Sequence, residues 1–390
     1  MNVSDSRRIL DRSWPLVAIL SWLCLSVSEA VTTTNTDACV SNATHVAWQA
    51  DCSSSSCACC QWQSLAEAQV EAHDYLRRHI MAFDLAFSET MGFVKEDDAV
   101  LPDGLESGMI GPTIQLALQA KREYAYTDAL PKHVWQEYVL NYANANEGRS
   151  NWRPLLRAKL TSKILKAWQA TRRVPAPTQE RSLLQSILDD EAGSLPLVDT
   201  RNATINDMVY LLNKYMWALL SPSKEDPIVF VSGQTPLIFD PMSVMVYGHA
   251  SCTGLAILFI NSLRSFGIPS RLVGTPAWNQ NVTKGNHNWV EVFSDGRWYF
   301  LEPTAVKNPT TVDDLMRDPC DRWFCTPERF HSSNNTHYTE PSTKVYAARL
   351  EWTSDTESLP YYPMAWERDN RDVPGEDVTD YYQRICSQCQ

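Results

Sequence analysis

The sequence predicts an α+β fold, a mostly α-helical region followed by a core in which one buried helix packs on an antiparallel sheet. Three observations carry this. Apolar residues recur at helical spacing through much of residues 64–219. The same spacing returns at Leu255, Leu258, Phe259, Leu263 and Phe266, where Gly267 and Pro269 end it. Two strand-like runs, 288–293 and 297–302, then flank Asp295-Gly296, a strong two-residue hairpin signal.

In order along the chain, residues 1–30 read as a signal peptide. Arg7, Arg8 and Arg12 are followed by a short apolar run from Trp14 to Val27, and Ser28-Glu29-Ala30 offers small residues to a signal peptidase. The alternative is an uncleaved membrane anchor through residues 14–27, facing outside. Residues 31–62 are rich in Cys, Thr and Ser and form a lead-in without apolar period. The helical region spans 63–180. Ser64-Leu65-Ala66-Glu67 is a capping-box pattern that starts a helix running to about residue 88. Further helices are expected at 112–126, 132–143 and 153–170, with a linker at Thr171–Gln179. The core, 181–310, adds helices at 181–190 and 204–219, a β-type run at 228–231, the buried helix and the hairpin. Residues 311–390 read as an irregular Cys-containing extension wrapped on the core.

The composition is that of a globular protein: 390 residues, 44% hydrophobic and 21% charged. The net charge of -12 argues against a nucleic acid partner. Four N-glycosylation triplets begin at Asn42, Asn202, Asn281 and Asn334 and agree with export. Of eleven cysteines, Cys24 lies in the leader and nine cluster near the ends: Cys39, Cys52, Cys57, Cys59, Cys60, Cys320, Cys325, Cys386 and Cys389. In a secreted chain these read as disulfides; the C-x-x-C pairs Cys57/Cys60 and Cys386/Cys389 leave zinc as the alternative.

Cys252 stands apart from all of them. It falls in the first turn of the buried helix, where unpaired amides and the helix dipole favour a thiolate, the form nucleophilic catalysis needs. A lone cysteine is more often core filling, but the Gly, Ala and Ser neighbours at a helix start argue otherwise. The best-placed base is His287. If Asp295-Gly296 is a two-residue turn, Ser294 pairs with Arg297, and Glu302 lies opposite Trp289 and diagonal to His287 on the same face. A carboxylate there fixes one imidazole nitrogen and leaves the other for the thiol. The bland alternatives are a structural histidine at a strand start and a glutamate on a solvated face. His249 is a rival base kept as a site-lining residue, Glu291 is a weaker alternative acid, His331 and His337 fall in a Ser/Asn-rich loop, and Asp295 is explained by the turn.

The motifs Gly-x-x-Ser-Cys-Thr-Gly at 248–254, Leu-Arg-Ser-Phe-Gly-Ile-Pro-Ser-Arg at 263–271, Gly-Thr-Pro-Ala-Trp at 274–278, Gly-Asn-His-Asn-Trp-Val-Glu-Val at 285–292 and Trp-Tyr-Phe-Leu-Glu-Pro-Thr at 298–304 together resemble the transglutaminase-like core, in that family's order. A weaker resemblance to the helical lead-in of microbial members lies at Tyr138–Ala143, Glu147 and Asn151–Arg153. The resemblance implies a papain-like transglutaminase core with Cys252 as nucleophile, His287 as base and Glu302 as orienting acid, where the family usually has Asp. It offers Gln234 and Tyr247 as oxyanion-hole candidates, and Trp278 and Trp289 as walls of the site. No cofactor or metal is implied: the calcium-dependent animal enzymes carry extra β-sandwich domains, for which this chain has neither room nor strand pattern.

The expected activity is acyl transfer from a protein or peptide carboxamide through a thioester resolved by amine or water. A cysteine peptidase or amidase on the same core is the near alternative. A catalytically inactive secreted binding module is the distant one, and a membrane is a partner only if the leader is retained.

Overall fold

A computed structural model describes residues 45–47, 62–93, 108–173, 200–223, 226–234, 237–275, 286–303, 344–350, 361–362 and 373–387. Residues 44–390 form one compact unit. The expected leader, the linker beyond Arg173, the helix at 181–190, His331, His337 and all the clustered cysteines except Cys386 lie outside the described residues, and so do the triplets at Asn42, Asn281 and Asn334.

A short ladder, β1 (His45–Ala47) with β2 (Trp62–Ser64), precedes helix α1 (Leu65–Arg78). The helix expected to reach about residue 88 stops at Arg78, and the chain continues as a 3-10 segment, Ala82–Phe87. A long-range bond takes over there. The Met81 N–H donates to the Tyr142 hydroxyl at 3.0 Å, and that hydroxyl donates to Asp84 at 2.9 Å. Helix α2 is Ile110–Glu123. The helix expected at 132–143 is α3 (Lys132–Trp135), which widens into a π turn over Gln136–Leu140 and ends there. Its last carbonyls are taken by the Arg153 guanidinium, 2.6 Å from Val139 O and 3.4 Å from Asn141 O. Helix α4 is Trp152–Arg173, so the start of the expected linker is helical. Helix α5 (Ile205–Leu219) begins at a capping box between Thr204 and Asp207.

The core opens with β3 (Val229–Phe230), which pairs in parallel with β4 (His249–Ala250) across helix α6 (Pro241–Tyr247). Asp240 caps α6 and Gly248 closes it at φ 71°. Helix α7 (Cys252–Ser265) follows, buried from Thr253 onward. Its end is a Schellman turn: Ile268 N–H bonds Leu263 O, Gly267 N–H bonds Arg264 O, and Gly267 sits at φ 75°.

Strands β5 (Ser270–Thr275), β6 (His287–Ser294) and β7 (Arg297–Leu301) are antiparallel neighbours. The β6–β7 register runs from Ser294↔Arg297 to Val290↔Leu301, the pairing the Asp-Gly turn predicts. Asp295 (φ 50°) and Gly296 (φ 79°) are both left-handed, as a type I′ turn requires. The extension read as irregular contains two strands, β8 (Tyr346–Ala348) and β9 (Gly375–Asp377), and helix α8 (Thr379–Ser387). The sheet order is β7-β6-β5-β8-β9. Three-residue strands are too short for an alternation to stand out, which is why the sequence concealed them.

Two apolar clusters cover this sheet. Val290, Val292 and Leu301 join α7, α4 and α5 in the main core. Val273, Trp289 and Phe300 pack with Val378 and Tyr382 of the C-terminal segment. All six residues of β5 are buried, as befits a central strand covered on both faces.

Candidate active site

Cys252 is the first residue of α7. Ser251 holds the N-cap position, but its hydroxyl does not cap the helix, so the first-turn amides and the positive end of the dipole act on the sulfur. Gly254 makes the turn possible. A Cβ there would lie 2.5 Å from Ile238 O and 2.7 Å from the Ala250 Cβ, so only glycine lets the 238–239 backbone run against the turn that carries Cys252. Cys252 is partly exposed and is a free cysteine.

His287 opens β6, paired with Thr275. Its Nε2 lies 2.8 Å from Glu302 Oε1. Glu302 follows the last residue of β7, and its carbonyl accepts from the Asn213 amide of α5 at 3.0 Å. Asn213 is fully buried, so a helix outside the matched motifs fixes the backbone of the carboxylate. The other ring nitrogen of His287 is left for the Cys252 sulfur, with which the imidazole is hydrogen-bonded.

The electrostatics favour an ion pair. Burial pushes the Cys252 thiol up, but the hydrogen bond and charge of His287, with the Asn288 main-chain N–H, outweigh it and hold the thiol below its ordinary value. Burial pulls His287 down, but the bonds to Cys252 and Glu302 outweigh that and push it up to about 9. Both shifts favour thiolate and imidazolium together.

The remaining candidates are placed as follows. Gln234 is half-buried, and its carbonyl accepts from the Ile238 N–H at 2.8 Å. Tyr247 ends α6 with its side chain exposed, against the His249 ring at 6.3 Å. His249 bonds through Nδ1 to the Tyr247 carbonyl at 2.9 Å, not to the thiol. Trp289 is fully buried beside His287, ring centroids 5.8 Å apart, and its Nε1 donates to Tyr382 at 2.8 Å. Trp278 lies outside the described residues. Glu291, the alternative acid, is not near the imidazole. It is fully buried and is held by Arg271 at 2.7 Å and by the Tyr382 hydroxyl at 2.5 Å. Strand parity alone could not separate it from Glu302, because the partner across the sheet decides.

Four residues that touch this machinery were not singled out by sequence: Asn213, Thr253, Asn288 and Tyr362. Thr253 and Asn288 stand inside the motifs beside Cys252 and His287, so adjacency was their signal. Asn213 and Tyr362 had none. Among the described residues no group of three or more His, Cys, Asp or Glu side chains is arranged to hold a metal ion, and no helix is long and apolar enough to cross a membrane.

No curated protein matches this chain in sequence. Among solved structures, one described as "a Putative Cysteine Protease from Cytophaga hutchinsonii" aligns with 17% identity and a TM-score of 0.22, covering 52% of this chain and 61% of that one. Residues 226–303 match the family model of the transglutaminase-like superfamily, a segment that begins just before β3, ends just after Glu302 and contains Cys252 and His287. The chain thus carries a transglutaminase-like core, the fold of a cysteine-dependent enzyme, in residues 226–303.

Proposed function

We propose that this protein is a cysteine-dependent acyl transferase acting on carboxamides of proteins or peptides, with Cys252 as nucleophile, His287 as acid and base, and Glu302 as the group that orients the imidazole. The observation that carries this reading is the hydrogen-bonded chain Cys252–His287–Glu302 at the N-terminus of α7. The thiolate attacks the carboxamide carbon. His287, carrying the proton, delivers it to the departing nitrogen, so the C–N bond breaks, ammonia leaves and a thioester remains. An amine or water then attacks the thioester and gives its proton to His287 while the thiolate is released. Amine yields a new amide and water yields the acid. Glu302 holds Nε2 throughout and stabilises the imidazolium.

The test is incubation with a glutamine-containing peptide and a labelled primary amine. Ammonia release with amine incorporation, both lost in Cys252→Ala, is the expected result. Ammonia without incorporation assigns hydrolysis in place of transfer. Neither product, from folded protein, overturns the reading.

The same proposal puts the enzyme outside the cell. The leader pattern and the glycosylation triplets support this, and Asn202, the described acceptor, is exposed next to the capped start of α5. Expression in a secretory host should yield protein lacking residues 1–30 with glycan on Asn202. An intact leader and an unmodified Asn202 would contradict it.

A further inference from the structure

A buried hydrogen-bonded contact behind Cys252 reaches the far C-terminal segment. Three buried side chains from three distant parts of the chain meet behind Cys252. Thr253, in the first turn of α7, donates through Oγ1 to Asn288 Oδ1 at 2.8 Å. Asn288, next to His287 on β6, donates through Nδ2 to the Tyr362 hydroxyl oxygen at 3.1 Å. All three are almost fully buried, Thr253 and Tyr362 at 1% exposure and Asn288 at 4%. The main-chain N–H of Asn288 and the Thr253 side chain both reach the Cys252 sulfur.

The surroundings are cut to fit this contact. Gly274 pairs directly with Asn288 across β5 and β6. A Cβ on Gly274 would stand 2.5 Å from Asn288 Nδ2, 2.6 Å from the Tyr362 hydroxyl and 2.8 Å from His287 O. Glycine therefore leaves the space in which amide and phenol meet. Tyr362 is anchored by its own backbone: its N–H donates to Val373 O at 2.8 Å, and Tyr361 bridges Pro374. A second glycine, Gly375, admits that backbone, since a Cβ there would lie 2.8 Å from Tyr362 N. Buried phenols and amides in a dry site need their partners, so this contact fixes orientation as well as packing.

We propose that Tyr362 is a positioning residue for the nucleophile: through Asn288 it holds the main-chain N–H that supports the thiolate, so residues 361–362 and 373–377 are part of the active-site machinery and not merely an edge of the sheet. The inference rests on the proposed thiolate chemistry of Cys252. Burial, then the neighbouring Cys252 charge, keeps the phenol protonated, so it remains a neutral hydrogen-bonding group at every working pH.

The test is the pH profile of Cys252 alkylation by iodoacetamide in the full chain, for wild type, Tyr362→Phe and Asn288→Ala. Tyr362→Phe keeps the ring and removes only the hydroxyl; Asn288→Ala keeps the main-chain N–H and removes the amide that Tyr362 holds. A loosened Asn288 N–H supports the thiolate less, so the midpoint should rise in both variants by about one pH unit, which is a roughly tenfold loss of thiolate below it. An unchanged midpoint in both variants, whether or not rates or thermal stability fall, overturns the inference and makes the contact purely structural. If Tyr362→Phe does not fold, Asn288→Ala decides by the same criterion. A wild-type Cys252 that resists alkylation altogether is a different result, and it overturns the proposed function itself.

Discussion

The two ends of α7 are built in opposite ways. At its N-terminus the Cys252 sulfur is partly exposed, no side chain caps the helix, and the groups around it can exchange protons. At its C-terminus side chains claim the carbonyls of Arg264, Ser265 and Phe266. Arg153 takes Arg264 O at 2.8 Å, Arg157 takes Ser265 O at 2.6 Å, and the Tyr126 hydroxyl takes Phe266 O at 2.5 Å. Arg264 turns back to bind Ser270 O and Ala143 O. Cations at a helix C-terminus complement the negative end of the dipole, and guanidinium forks satisfy carbonyls that burial would otherwise orphan. Burial lowers Arg264 to about 10, with Glu147 opposing the loss, and it also lowers Arg153, with Arg264 and Arg157 adding repulsion. One end is left reactive and the other is locked.

This contrast can be broken one end at a time. The largest effect belongs to the reactive end. Cys252→Ala should abolish product formation, and His287→Ala should lower turnover by about 10³-fold or more. Cys252→Ala should leave thermal unfolding within a few degrees of wild type, measured by calorimetry, whereas His287→Ala should also lower stability below pH 9, because it removes the imidazolium and its bonds. Glu302→Gln comes next. It keeps a hydrogen bond but loses the charge that stabilises the imidazolium, so kcat should fall by about 10²–10⁴ with folding unchanged. At the locked end the readout reverses. Arg264→Met removes three hydrogen bonds and should destabilise the fold by about 3–5 kcal/mol in denaturant titration, while the folded fraction retains its turnover. Gly254→Ala sharpens the comparison with the smallest effect. Its Cβ strikes Ile238 O, so stability should drop by about 1–3 kcal/mol and turnover should drop with it.

The pH dependence follows from the ion pair. His287 is raised from 6.5 to about 9, so its contribution to stability is complete below pH 6.5 and disappears as pH rises through 9. Activity should therefore decline above pH 9, when the imidazolium loses the proton it delivers to the leaving nitrogen. His287→Ala should lose that alkaline dependence of stability, measured as unfolding midpoint against pH.

Much of this was legible in the sequence where the signal was local. The Asp-Gly turn fixed the β6–β7 register, and Gly267 with Pro269 fixed the end of α7. Parity then put His287 and Glu302 within reach, and they lie 2.8 Å apart. What could not be read was long-range. The break of α1 depends on Tyr142, the short strands β8 and β9 exist only against β5, and Asn213 and Tyr362 act from outside the motifs. The arginine pattern at Asn151-Trp152-Arg153 was visible as a resemblance without a reason. Its reason is the far end of α7: Arg153 lies over Trp152 at 4.6 Å and reaches Arg264 O.

The central claim is that α7 presents a thiolate paired with a charged His287. The rate of Cys252 alkylation against pH, in wild type and in His287→Ala, tests it most directly. The wild-type midpoint should lie below the free-thiol value and should rise toward or past it when the imidazole is removed. A wild-type midpoint at or above the free-thiol value, unmoved by His287→Ala, would contradict it.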